Sequence, residues 1–208
     1  MVTNMYMNNE GFKEAIKTIG DAIISSEYSF LTHRKKNQRL DLKDNNQICY
    51  LVDGSVSIYR VEDGILKFTV DTPAILGLAQ MRIPTKTHFM RSDTNCDFWL
   101  IDAERATELL NSKNLWCEAY EIISHHLSLY IHREKMQSKP SVKELVLEHI
   151  KYLWKLEEDV RSRTSIYSFI LSRNAVSRSA VHKALNELIA DGLIEVYRGI
   201  LNNYHCQR

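Results

Sequence analysis

The sequence predicts an α+β chain in which a small antiparallel β-domain leads through a long helix into a C-terminal winged helix-turn-helix. Three observations predict it. Between residues 28 and 101, apolar and polar residues alternate in short runs separated by Asp-Gly turn signals. From 114 to 137 apolar residues recur at helical spacing without a breaker. Near the C-terminus two short helical patterns, "SIYSFILS" and "SRSAVHKALNELIA", are joined by "RNAV" and followed by a two-strand pattern, the spacing of a helix-turn-helix with a wing.

Residues 10 to 24 place Phe12, Ala15, Ile16, Ile19 and Ile23 at three- and four-residue steps, the stripe of an amphipathic helix. The runs "QICYLV", "VSIYRV", "ILKFTV" and "DFWLI" then read as strands, with Asp53-Gly54 and Asp63-Gly64 as tight hairpin turns. One sheet this small cannot bury both faces, so the strands are expected to close into a barrel or jelly roll. Asp102 is placed to cap the helix that begins in "DAERATELLNS".

The long helix carries Leu115, Trp116, Ala119, Ile122, Ile123, Leu127, Tyr130 and Ile131, a stripe wider than one small β-domain need cover. Part of it, namely Trp116, Ile123, Leu127, Tyr130 and Ile131, is expected to meet a second copy in a two-fold dimer. Pro140 suits the first turn of a new helix, which buries Val142, Leu145, Val146, Ile150, Leu153 and Trp154, and "EEDVRSR" reads as a connection. The predicted domains are 1–110 for the N-terminal helix and β-domain, 111–138 for the dimerisation helix, and 139–208 for the winged helix.

In the second short helix Ser177 caps the start, and Val181, Leu185 and Leu188 must face the core. Geometry then turns Arg178, Ser179, His182, Lys183 and Asn186 outward, where such motifs meet base edges in the major groove. Arg198, at the tip of the wing, is within reach of a phosphate. Charge agrees with this reading. Residues 1 to 160 carry 20 basic and 23 acidic side chains, whereas 161 to 208 carry 7 and 3, so the basic excess lies in the winged helix.

The order of β-domain, long helix and winged helix resembles the cyclic-AMP receptor and fumarate-nitrate regulator superfamily. "YLVDGSVSIY" is similar to its hairpin, "ILGLAQM" to the start of its phosphate-binding cassette, and "VSRSAVHKALNELIADGLIEV" to its recognition helix and wing. More narrowly, "NLWCEAY", "DVRSR" and "VSRSAV" resemble the enterobacterial regulators named for inhibiting hydrogen peroxide resistance. The resemblance implies a cyclic-nucleotide-binding-like β-roll, a palindromic double-stranded DNA operator, a homodimer, contact with RNA polymerase, and a role in stress or virulence gene control. It also places a ligand pocket at Gly77, Leu78, Lys86 and Thr87, but a degenerate one. Gly77 is followed by Leu78 where the family has glutamate for the ribose, and Lys86-Thr87 replaces the family's Arg-Ser, so the guanidinium fork for the cyclic phosphate is absent. Cyclic-nucleotide binding is therefore not expected. Ser177-Arg178-Ser179-Ala180 departs from the family's Ser-Arg-Glu-Thr: the arginine that takes guanine is kept and the glutamate that accepts from cytosine is lost, which implies a different operator.

Other classes fit less well. The strands hold no His-x-His, His33 and His88 stand alone, and His125 and His126 point about 100° apart on a helix, so no metal site, cofactor or enzyme activity is expected. Residues 1 to 48 lack the cysteines of an iron-sulfur sensor. Cys49, Cys96, Cys117 and Cys206 are scattered and read as free thiols, with a thiol switch as one alternative and a winged helix that binds protein as another. No stretch reaches the roughly 20 apolar residues of a membrane span, and no secretory signal is apparent, so a cytoplasmic chain is expected.

Overall fold

A computed structural model describes residues 10–205, which divide into two compact units that meet inside the long helix, after Tyr130. The first unit opens with α1 (Glu10–Ile24), whose Phe12, Ala15, Ile16, Ile19 and Ile23 are buried as their spacing predicts. Eight strands follow: β1 (Phe30–Arg34), β2 (Arg39–Leu40), β3 (Gln47–Asp53), β4 (Ser55–Arg60), β5 (Leu66–Asp71), β6 (Ala74–Leu76), β7 (His88–Ser92) and β8 (Cys96–Asp102). They form two four-stranded antiparallel sheets, ordered β1-β8-β3-β6 and β2-β7-β4-β5, which gives the jelly roll that the edge argument requires.

Strand β3 explains why its sequence is almost continuously apolar. Cys49 and Leu51 point between the sheets, beside Leu100 and Phe98 of β8, while Ile48 turns the other way into a second core built with α1. Both faces are covered, so polar alternation is lost. The two Asp-Gly signals part company. Asp63-Gly64 joins paired β4 and β5, as expected. Asp53-Gly54 makes no hairpin: β3 and β4 lie in different sheets, and the chain crosses between them at Gly54. There φ is 94°, and a Cβ would stand 2.4 Å from the Asn95 carbonyl, so the glycine answers to a sheet crossing rather than a two-residue turn.

After β8, Asp102 caps α2 (Ala103–Ser112) by accepting from the amides of Glu104 and Arg105. Helix α3 (Trp116–Gln137) follows, with Leu115 just before it and Ala119 and Ile122 buried in the core shared with α1. The second unit continues from Ile131 through α4 (Val142–Trp154), α5 (Glu158–Arg161), α6 (Ile166–Leu171), α7 (Arg178–Ala190) and the hairpin β9 (Ile194–Tyr197) and β10 (Ile200–Tyr204). Ser141, not Pro140, starts α4, its hydroxyl accepting from the Glu144 amide at 3.2 Å. Pro140 stands one residue before the cap. The core of this unit gathers Leu145, Val146, Ile150 and Leu153 of α4 with Ile166, Ile170, Val181, Leu185 and Leu188. Among the described residues, no helix is long and apolar enough to cross a membrane.

Candidate nucleic-acid interface

The sequence builds the candidate interface from two caps and one turn. Ser165 caps α6 through the Ser168 amide, and Ser177 caps α7 through the Ala180 amide at 3.1 Å. The six residues between the helices are anchored by Asn174, which is buried. Its amide donates to the Ile170 carbonyl at 2.7 Å and to His149 Nε2 at 3.1 Å. His149 on α4 uses Nδ1–H on the Leu145 carbonyl at 2.8 Å, leaving Nε2 as the acceptor. Burial lowers its pKa from 6.5 to about 4, so the ring is neutral.

The end of α3 joins the same network. Arg133 Nη1 lies 3.3 Å from His149 Nε2, while its Nη2 and Gln137 Nε2 both donate to the Arg173 carbonyl, at 2.5 and 2.8 Å. Arg173 follows α6 in the turn, so two α3 side chains hold the turn by its backbone. Burial pulls the Arg133 guanidinium down to about 10, and it stays charged at neutral pH. Sequence reading missed this network, because a buried His or Arg inside a helical pattern looks like a surface residue.

On the outer side of α7, Arg178, Ser179, His182, Lys183 and Asn186 are all exposed, opposite buried Val181, Ala184, Leu185 and Leu188. The division of the helix into two faces is as expected from its spacing. His182 is bridged on both ring nitrogens: Asn186 Nδ2 is 3.2 Å from Nε2, and the Tyr167 hydroxyl is 2.7 Å from Nδ1. The Arg178 guanidinium lies 5.0 Å from the centre of the Tyr167 ring. Tyr167, on α6, was not singled out by sequence; its only signal is an aromatic residue next to the buried Ile166.

The wing turns at Arg198-Gly199, with φ of 49° and 78°, the left-handed pair that a two-residue hairpin of this hand requires. Arg198 is exposed at the tip, 5.2 Å from the Tyr197 ring. The Ile166 amide donates to the Gly199 carbonyl at 2.9 Å, tying the wing to the start of α6.

In the first unit, a cavity of about 310 Å³ opens between the second sheet and α3. Gly77 and Thr87 line it, with Phe68, His88, His126 and Tyr130. Leu78 does not; it packs into the core shared with α1. Lys86 is also elsewhere, its ammonium held by Asp41 at 2.9 Å and by Asp44. Among the described residues, no lysine or arginine lines the cavity, and burial, helped at His88 by the nearby charges of Lys67 and Arg60, lowers His88 and His126 to about 4, so neither lining imidazole is charged at neutral pH. Tyr130 turns inward here, its hydroxyl 2.9 Å from His88 Nε2 and its ring edge-on to Phe68. Ile123 also packs on the core. Of the stripe expected to face a second copy, Trp116, Leu127 and Ile131 are exposed, and Tyr120, which sequence reading passed over, joins them. Cys49 and Cys96 are buried, Cys117 is exposed, and Cys206 lies outside the described residues.

A jelly roll followed by a long helix and a winged helix-turn-helix defines the fold of the Crp/Fnr regulators, and comparison with solved structures bears this out. The chain superposes on the c-di-GMP-responsive global regulator CLP of Xanthomonas campestris with a TM-score of 0.68 at 17% identity, covering 91% of this chain and 100% of that one. A Crp/Fnr-family transcriptional regulator from Eubacterium rectale gives 0.65 at 16%, covering 95% and 91%. Residues 143–205 match the family described as winged helix-turn-helix DNA binding. Among proteins rather than structures, the chain is similar to the inhibitor of hydrogen peroxide resistance of Escherichia coli K12, 25% identical over 162 residues and 76% of each chain. Its Salmonella typhimurium counterpart is 24% identical over 160 residues, 76% of this chain and 77% of that one. The narrower resemblance read from short motifs thus has matching relatives.

Proposed function

We propose that this chain is a homodimeric, sequence-selective transcription regulator that acts on double-stranded DNA in the cytoplasm and takes no cyclic nucleotide. The observation that carries the reading is the capped helix α7, which sets five polar side chains outward over a fully buried apolar stripe, beside a wing tipped by Arg198. In this reading α7 lies in the major groove. Arg178 offers its fork to guanine, Ser179, His182 and Asn186 approach neighbouring base edges, and Lys183 and Arg198 meet phosphates.

Dimerisation supplies the second half-site. Trp116, Tyr120, Leu127 and Ile131 fall within an arc of about 60° on α3, opposite its buried face, and the occupant proposed for that arc is the same arc of a second copy. Two-fold symmetry then implies a palindromic operator with half-sites about 34 Å apart. Recruitment or blocking of RNA polymerase at such operators follows. The name shared by the curated relatives favours genes of the peroxide stress response. The cavity in the first unit supports the negative half of the proposal. A cyclic phosphate entering it would give up its water and find neither a guanidinium nor an ammonium among the described residues of its walls.

The test is a binding measurement with the full chain. Duplexes enriched from a random pool are expected to share a palindrome and to bind at least about a thousandfold more tightly than random duplex. Affinity should fall steeply with salt, as counterion release demands, and added cyclic AMP should leave it unchanged. Equal affinity for enriched and random duplex defeats the DNA reading, and a large response to cyclic AMP defeats the reading of the cavity.

A further inference from the structure

The Arg178 guanidinium lies 5.0 Å from the Tyr167 ring centre, and the Tyr167 hydroxyl lies 2.7 Å from His182 Nδ1. His182 is held on its far side by Asn186 Nδ2, 3.2 Å from Nε2. With Asn186 Nδ2 donating to Nε2, the hydrogen on Nδ1 is donated to the Tyr167 oxygen. The hydroxyl hydrogen of Tyr167 is then free for an outside acceptor. Two of the exposed side chains on α7 are thus steered by one ring that is not on α7.

We propose that Tyr167 is a positioning residue that sets the sequence preference of this interface by fixing Arg178 and His182 before DNA arrives. The proposal rests on the reading of α7 as the element that enters the groove. Arginine is long and rotamer-rich, and an unrestrained one can swing to an acceptor on the wrong base at little cost. A guanidinium seated on a ring, and an imidazole bridged at both nitrogens, lose that freedom in advance. Mismatched bases then leave polar groups unpaired instead of finding alternative partners. Tyr167 is itself well placed to stay put. It is half-buried, next to buried Ile166, whose amide is bonded to the wing at Gly199.

The experiment uses the full chain, the duplex enriched from a random pool, single-base-pair variants of that duplex and a random duplex, with fluorescence anisotropy as readout. Tyr167→Phe keeps the ring and removes the hydroxyl. Because His182 spends both nitrogens on Tyr167 and Asn186, the change is expected to reduce discrimination at the base pair that the Asn186 amide reads by about tenfold, with melting temperature, random-duplex affinity and salt slope unchanged. In a His182→Ala background the same change should add nothing, because the two residues act as one unit. Tyr167→Leu should relax the Arg178 position as well. A Tyr167→Phe variant that weakens every duplex equally, leaves discrimination intact, or adds its full effect to His182→Ala overturns the proposal. A parent protein without sequence preference places the failure in the DNA reading instead.

Discussion

Arg178 and Lys183 lie five residues apart on one helix, yet their expected roles differ in kind. Arg178 presents a planar fork, so Arg178→Ala should cost about 1 to 3 kcal/mol on the enriched duplex and relax preference at one base pair. Lys183 is a point charge. Lys183→Ala should weaken all duplexes similarly and lower the salt slope by about one, which titration at several salt concentrations would reveal. The exposure of these two residues, with Ser179 and Asn186, was legible in the sequence because helical geometry alone turns them outward once Val181, Leu185 and Leu188 are assigned to the core, and that of Arg198 because the Arg-Gly pair marks the turn of the wing. Tyr167 was not, because its role comes from a contact across two helices that no periodicity encodes. Lys86 marks the converse limit. Alignment with a family motif put it in a ligand pocket, whereas Asp41 and Asp44 claim its charge.

At the scale of elements, α3 is the piece whose sequence pattern said most and was most open to misreading. The excess of apolar residues was real, but spacing could not divide it. Tyr130 and Ile123 go inward, whereas Trp116, Tyr120, Leu127 and Ile131 stay out. The prediction follows from the division. If the proposed dimer forms through this face, Leu127→Glu with Ile131→Glu should give a monomer where the parent chain gives a dimer in light scattering at micromolar concentration, with each unit still folded, since both side chains are at least half exposed. Dimer mass unchanged in that double variant would locate the interface elsewhere. The β-strands teach a similar lesson. Asp-Gly pairs mark sharp changes of direction, but whether the next strand pairs with the last or joins the other sheet is decided by long-range register, as at Gly54.

For the whole molecule, acid should be the most damaging condition. Half-buried His88 and His126 in the first unit and fully buried His149 in the second are held neutral, each with its pKa lowered from 6.5 to about 4. The unfolded chain takes up these protons as the pH drops below 6.5, while the folded chain refuses them until about 4. Stability is therefore full above pH 6.5 and lost on the way down to 4. The burial of His149 alone corresponds to a loss on the order of 3 kcal/mol across that window. Urea midpoints measured from pH 7.5 to 4.5 should fall, and His149→Gln should flatten the fall for the second unit. A midpoint independent of pH would show that these rings are not held neutral. The fold class was legible at this scale because strand alternation, one unbroken helix and the helix-turn-helix spacing are all local. The histidine network was not, since its members come from α4 and the turn before α7, with Arg133 of α3 bonded to it.

The uneven burial of the thiols has a practical use. Cys49 and Cys96 are sealed between the sheets, whereas Cys117 stands exposed in the first turn of α3, next to Trp116. Once Cys206 is replaced by serine, a maleimide dye or nitroxide added to the native protein has one accessible attachment point per chain. That point lies beside the surface assigned to the second copy, so dye-to-dye energy transfer or spin-spin distances could follow the pairing of two long helices in solution, with and without a duplex, without engineering a new cysteine.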